Sequence, residues 1–129
     1  MTPRVGIDLV SVDSVRESLR NHGDRYLQRL YTAQEVEDCS EGGTVSAEHL
    51  AACFAAKEAT IKALRLPPTQ GLDWRSIELV RTADGWTSLR LTGSAAALAE
   101  REGIDAFSVS VTHEAGFAAA IVLAIPARA

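Results

Sequence analysis

The chain has 129 residues, 47% of them apolar and 23% charged, with a net charge of −4 at pH 7. A chain of this size buries roughly two-thirds of its surface on folding, so one real core is within reach, and the negative balance argues against nucleic acid as the main partner. No stretch approaches the ~20 apolar residues of a membrane span, and the opening MTPRVGIDLV lacks the apolar length and small-residue cleavage site of a signal peptide.

Arg4 to Val12 alternates and is rich in Val and Ile, which predicts a strand. Asp13 is placed to cap a helix running to about Arg20, with Val15 and Leu19 on one face, and Asn21 to Gly23 breaks it. A second helical piece runs from Asp24 to about Tyr31. Thr32-Ala33-Gln34-Glu35 has capping-box spacing and opens a short helix that ends near Ser40. Glu41 to Thr44 reads as a loop. Ser46 can cap the longest helix, Ala47 to about Leu66, with Leu50, Phe54, Ile61 and Leu64 as its core stripe, stopped by Pro67-Pro68. Ser76 to Thr82 and Trp86 to Thr92 form a hairpin around Ala83-Asp84-Gly85. Ser94 to Glu102 is an alanine-rich helix ended by Gly103. Ala106 to Thr112 and Phe117 to Ile125 are a last pair of strands. This order predicts an α+β fold: a mainly antiparallel sheet packed against one long and several short helices, in a single domain over 1–129. Cys39 and Cys53 lie in helical stretches without C-x-x-C spacing and read as free thiols in a reducing cytoplasm.

Three places break the pattern of an inert domain. Asp8 sits inside Val5-Gly6-Ile7-Asp8-Leu9-Val10, where a carboxylate is costly unless paired or bound to a metal. Gly6 beside it lets a ligand or another backbone come close. Strand alternation equally allows Asp8 on a solvent face. On the long helix, Glu58 and Lys62 are four apart and share a face. Ala51, Ala55 and Ala59 leave room for something to approach that helix, although a solvated Glu–Lys pair would give the same spacing. Third, Ser108-Val109-Ser110-Val111-Thr112-His113-Glu114 ends a strand in a histidine just before a turn, where a rigid sheet meets an open loop.

Gly6-Ile7-Asp8, Phe54-Ala55-Ala56-Lys57-Glu58-Ala59-x-x-Lys62-Ala63-Leu64, Trp74-x-x-Ile77-Glu78 and Ser110-Val111-Thr112-His113-Glu114 in this order resemble the holo-acyl-carrier-protein synthase family of 4′-phosphopantetheinyl transferases. The resemblance covers Val5 to Val122. It implies transfer of the phosphopantetheine arm of coenzyme A to a serine of an apo acyl or peptidyl carrier protein, releasing adenosine 3′,5′-bisphosphate. It implies Asp8 and Glu58 as Mg²⁺ ligands, a set that suits an ion wanting oxygens from one or two carboxylates plus phosphates and waters. Lys62 resembles the phosphate-contacting lysine. Glu58, or a water on the metal, would be the base for the carrier serine. Lys57 would be structural or reach a nucleotide phosphate, and His113 resembles the histidine that meets the nucleotide end of coenzyme A. Short family members are homotrimers with sites at their interfaces, so Asp8 and Glu58 are expected from one subunit and His113 from its neighbour.

The chain departs from the family pattern in places. Cys53 stands where many members have arginine, and Arg65 where they often have glycine; Arg65 is expected to replace part of the missing charge near the coenzyme A phosphates. The loop Leu66 to Gly71 is stiffer, and Val10 offers no further acidic ligand. Arg16 and Arg20, continued by Arg25 and Arg29, form a basic stripe suited to an acidic carrier, although Ser14 and Asn21 do not match the carrier-facing arginines of some relatives. The rival readings are a weak family member that binds coenzyme A or a carrier without efficient transfer, and a phosphotransferase of other specificity. The latter lacks a Walker-type loop.

Overall fold

A computed structural model describes residues 1–128. Strand β1 (Arg4–Ser11) leads into α1 (Val12–His22), α2 (Asp24–Leu30) and α3 (Ala33–Asp38). A two-residue hairpin, β2 (Ser40–Glu41) and β3 (Thr44–Val45), replaces the expected loop and precedes the long helix α4 (Ala47–Leu64). Then come a 3-10 turn (Trp74–Ser76), β4 (Ile77–Arg81), β5 (Thr87–Leu91), α5 (Gly93–Arg101), β6 (Ile104–Glu114) and β7 (Phe117–Pro126). Every strand pair is antiparallel, and the main sheet has the order β1-β7-β6. The α+β expectation holds.

Local chemistry explains most boundaries. Thr32 and Glu35 make the reciprocal capping box. Ser46 Oγ accepts from the His49 amide and starts α4. The Asp84-Gly85 turn closes β4 on β5, with the Thr82 amide donating to the Trp86 carbonyl at 2.8 Å. One cap differs from expectation. Ser11, not Asp13, caps α1, its Oγ accepting from the Ser14 amide at 3.3 Å. The helix therefore begins two residues earlier, and Asp13 instead takes the favourable first-turn position for a negative charge.

Helix α4 lies across the inner face of the main sheet. Leu50 and Leu64 are fully buried, as the stripe predicts, but Ala51, Ala55, Ala56, Ala59 and Ala63 are buried too, and Phe54 and Ile61 only partly. The alanine row does not leave room for a ligand: it receives β1. A Cβ at Gly6 would stand 1.9 Å from the Ala59 carbonyl oxygen, so only glycine permits this approach of strand to helix. Gly6, Asp8 and Val10 consequently face α4, while Val5, Ile7 and Leu9 face outward and are 59, 64 and 65% exposed.

Candidate active site

The inward pleat of β1 decides between the two readings of Asp8. Its carboxylate faces the helix layer, not the open face, and its side chain is 17% exposed. One turn of α4 brings Glu58 and Lys62 to it. The Lys62 ammonium sits 3.1 Å from Asp8 Oδ1 and 2.9 Å from the Ile7 carbonyl oxygen. Lys62 is therefore not spent in a solvated pair with Glu58. Partial burial, then the nearby Asp8 charge, raises the Glu58 pKa, with Lys62 opposing. Asp8 and Glu58 are thus two neighbouring carboxylates with the Lys62 ammonium beside them.

The other end of α4 holds His113. β6 runs on through Glu114, so His113 is a strand residue rather than a turn residue, and the turn is Ala115-Gly116, both with positive φ. The His113 Nδ1 lies 3.1 Å from Glu48 Oε2, and its ring packs edge-on to His49 with centroids 6.0 Å apart. Glu48 precedes Glu58 by ten helical residues, which is about 15 Å of helix. Within one chain, Asp8, Glu58 and Lys62 come together and His113 stands apart.

Lys57 corrects an expectation. It was a candidate for coenzyme A phosphates, but it is fully buried, with its ammonium 2.7 Å from Glu35 Oε1. It also donates to the carbonyls of Trp74 and Ile77. All its donors are used inside the fold, and it points about 100° around α4 from Glu58. The Trp74-x-x-Ile77-Glu78 motif thus supplies carbonyls to Lys57, and Glu78 accepts from Thr32 Oγ1 at 2.6 Å. Glu35 was not foreseen in this role. Its capping-box position accounts for it locally, and the lysine 22 positions on leaves no mark on that pattern. Glu35 Oε2 also accepts from the Leu79 amide and the Cys53 thiol, and burial followed by this carboxylate pushes Cys53 well above the ordinary thiol range. Cys39 and Cys53 are both buried free thiols.

Arg65 caps α4 in the left-handed conformation, φ 57°, and is exposed. It follows Cys53 by twelve residues, about 18 Å along the helix. The glycine of the family pattern has a backbone reason there: it adopts that conformation freely. Arg16 pairs with Asp13 at 2.6 Å, and Arg20 is exposed beside it on α1. Arg25 and Arg29 flank Tyr26 and Trp74 in a groove of about 330 Å³. Among the described residues no cluster of three or more His, Cys, Asp or Glu exists, and no helix is long and apolar enough to cross a membrane.

Residues 4–122 match the model of the 4′-phosphopantetheinyl transferase superfamily. The chain is 40% identical over 119 residues to the holo-[acyl-carrier-protein] synthase of Leptospira biflexa, covering 92% of this chain and 93% of that one. It is 44% identical over 121 residues to the Frankia casuarinae holo-[acyl-carrier-protein] synthase, covering 93% and 94%. Its structure is similar to the solved ACPS–CoA complex of Chronobacterium ammoniagenes, with a TM-score of 0.85, 28% identity, and 99% and 100% of the two chains covered. A chain that carries the Asp8–Glu58–Lys62 constellation on this fold and matches these relatives over nearly its whole length belongs to the holo-acyl-carrier-protein synthase family of 4′-phosphopantetheinyl transferases.

Proposed function

We propose that this chain transfers 4′-phosphopantetheine from coenzyme A to a serine of an apo carrier protein, with Mg²⁺ held by Asp8 and Glu58. The convergence of Asp8, Glu58 and Lys62 on one face of α4 carries the reading. The donor set fits Mg²⁺ rather than zinc: two carboxylates, no sulfur or imidazole beside them, and a neighbouring ammonium already drawn to Asp8. When bound, the ion neutralises phosphate charge and polarises the phosphorus under attack.

The chain's own residues do the rest. The carrier serine oxygen forms a bond to the phosphorus that bears pantetheine, and the pyrophosphate P–O bond breaks, releasing adenosine 3′,5′-bisphosphate. Glu58 takes the serine proton, directly or through one water; its raised pKa makes it a better base than an exposed glutamate. Lys62 turns from Asp8 to the departing phosphate oxygen, where its charge matters most in the transition state.

A single chain leaves His113 far from these groups, and a ring of copies would bring one subunit's His113 to its neighbour's carboxylates. The outward face of the main sheet supports such an assembly. Val5, Ile7 and Leu9 continue into Ile121 and Leu123 of the paired strand β7, and all five are exposed. We read this face as the core of a homotrimer. The groove with Arg25 and Arg29, with Arg16 and Arg20 exposed on α1, suits an acidic carrier protein. The buried free thiols suit a reducing cytoplasm.

Mixing the protein with apo carrier protein, coenzyme A and Mg²⁺, then weighing the carrier by mass spectrometry, tests the reading. A phosphopantetheine mass gain is expected, lost in Asp8→Ala and Glu58→Ala by about a thousandfold. Binding of coenzyme A without mass gain across acyl and peptidyl carriers would leave a weak family member instead.

A further inference from the structure

We propose that Lys62 is a resident placeholder in the carboxylate site: its ammonium occupies Asp8 until a pyrophosphate draws it off, so the site takes a divalent cation together with coenzyme A and only weakly alone. The proposal rests on the transferase reading for the metal and for the anion, and on the following geometry for Lys62.

An exposed lysine beside a carboxylate is often an incidental pair. Lys62 differs in its choice of partner. Glu58 lies four residues before it on the same helix, the spacing of an ordinary helical ion pair. Among the described residues, however, the carboxylate within ion-pair distance of Lys62 is Asp8, 54 residues away in the chain. The ammonium also donates to the Ile7 carbonyl oxygen at 2.9 Å, so β1 holds it at two points. That strand is an edge of the main sheet, which leaves its outer carbonyls open to a side chain.

The two partners differ in freedom. The Asp8 side chain is 17% exposed, and the close approach of Gly6 to Ala59 fixes its strand against α4. The Lys62 side chain is 53% exposed, on a flexible stem. The ammonium can leave by rotamer changes alone, and the carboxylate stays where it is.

While Lys62 is in place it engages one Asp8 oxygen, and it sets a positive charge beside the position that Asp8 and Glu58 would share with a metal. A divalent cation arriving alone meets both obstacles. A pyrophosphate removes both, because it offers the ammonium a more negative partner. Release of Lys62 therefore couples the two ligands, and the coupling is reciprocal: each strengthens the other's binding by the same factor. An ion touching both the carboxylates and the pyrophosphate would couple them too. The share assigned to Lys62 is the share that disappears with its ammonium.

Titration of the protein with Mn²⁺, reading free metal by electron paramagnetic resonance with and without coenzyme A, tests this without turnover. Lys62→Met is expected to bind Mn²⁺ alone about tenfold more tightly than wild type. At saturating coenzyme A the two should agree within about threefold, so the gain brought by coenzyme A shrinks in the variant. Arg65→Met removes a neighbouring exposed cation that makes no ion pair with Asp8, and should change Mn²⁺ affinity by less than about twofold. Circular dichroism confirms the fold of each variant. Unchanged Mn²⁺ affinity in folded Lys62→Met, or an equal effect at Arg65, would overturn the proposal; if carriers still gain mass with Mg²⁺, the transferase reading stands without it. If Lys62→Met behaves as expected but no carrier gains mass, the placeholder stands and transfer fails. Equal Mn²⁺ binding by wild type and Asp8→Ala would remove the metal site, and the placeholder with it.

Discussion

The two ends of helix α4 hold different chemistry. The C-terminal end gathers negative charge: Glu58 faces Asp8, and only Lys62 relieves their repulsion. The N-terminal end gathers donors, His49 and His113, with Arg81 opposite. About 15 Å of helix separates Glu48 from Glu58. One end suits a cation and the other a phosphate, and attack of a carrier serine on a pyrophosphate whose far end bears a nucleotide would use both. On the proposed reading, the folded chain carries two half-sites that would complete one another between copies.

Lys57 lies between these ends and provides the sharpest test of the helix as a common beam. Its ion pair with Glu35 is fully buried. Removing one partner of such a pair strands the other charge, so Lys57→Ala should lower unfolding free energy by about 3–5 kcal/mol in urea titration. Near-wild-type stability would mean that Glu35 is satisfied some other way.

The half-site comparison itself breaks or survives in a mixing experiment. Asp8→Ala and His113→Ala proteins, each impaired alone, should recover on co-refolding, because some interfaces pair an intact carboxylate end with an intact imidazole end. Random assembly makes about a quarter of the sites whole. Absence of recovery, or an active monomer in light scattering, would place both ends in one chain's site.

Glu58 gives a smaller effect with a definite sign. Its pKa is raised in the folded state, so the folded protein keeps a proton that the unfolded chain has released. Its contribution to stability therefore falls as pH climbs from the ordinary glutamate range through the raised value. Without metal, Glu58→Gln should melt higher than wild type at neutral pH, and the gap should close in acid below the ordinary glutamate range. Mg²⁺ should raise the melting temperature of the wild type and not of the variant. Calorimetry at both pH values reads each outcome.

The smallest effect concerns Arg65. A non-glycine residue in the left-handed region costs about 1 kcal/mol, so Arg65→Gly should stabilise the fold by roughly that amount in thermal denaturation. It also sharpens the contrast between the ends: if nucleotide binding is unaffected while stability rises, the residue's role is in the backbone of the cap.

Much of this molecule was legible in the order of its residues. Ser46, the Thr32–Glu35 box and the Asp84-Gly85 turn act on their neighbours, so their structural effects appear locally. Asp8 stood out because a carboxylate is costly in an apolar run, and Glu58 because it shares a helical face with Lys62. What stayed hidden depends on distant partners. Glu35 looks complete as a cap, and nothing nearby reveals that Lys57 will reach it. Arg81 reads as a strand-end cation until the fold sets it beside Cys53. The cap is Ser11 rather than the expected Asp13, at the residue where β1 ends its pairing with Phe117.

Gly6 has one further consequence. Gly6 and Asp8 lie two residues apart on one strand but answer to different judges. Position 6 answers to geometry, since any side chain there would push the Ala59 carbonyl, and with it Glu58, away from the strand. Position 8 answers to chemistry and could change without unseating the helix. A lineage that relaxed its need for catalysis would lose the aspartate and keep the glycine, leaving a protein of the same shape with nothing at its centre to hold.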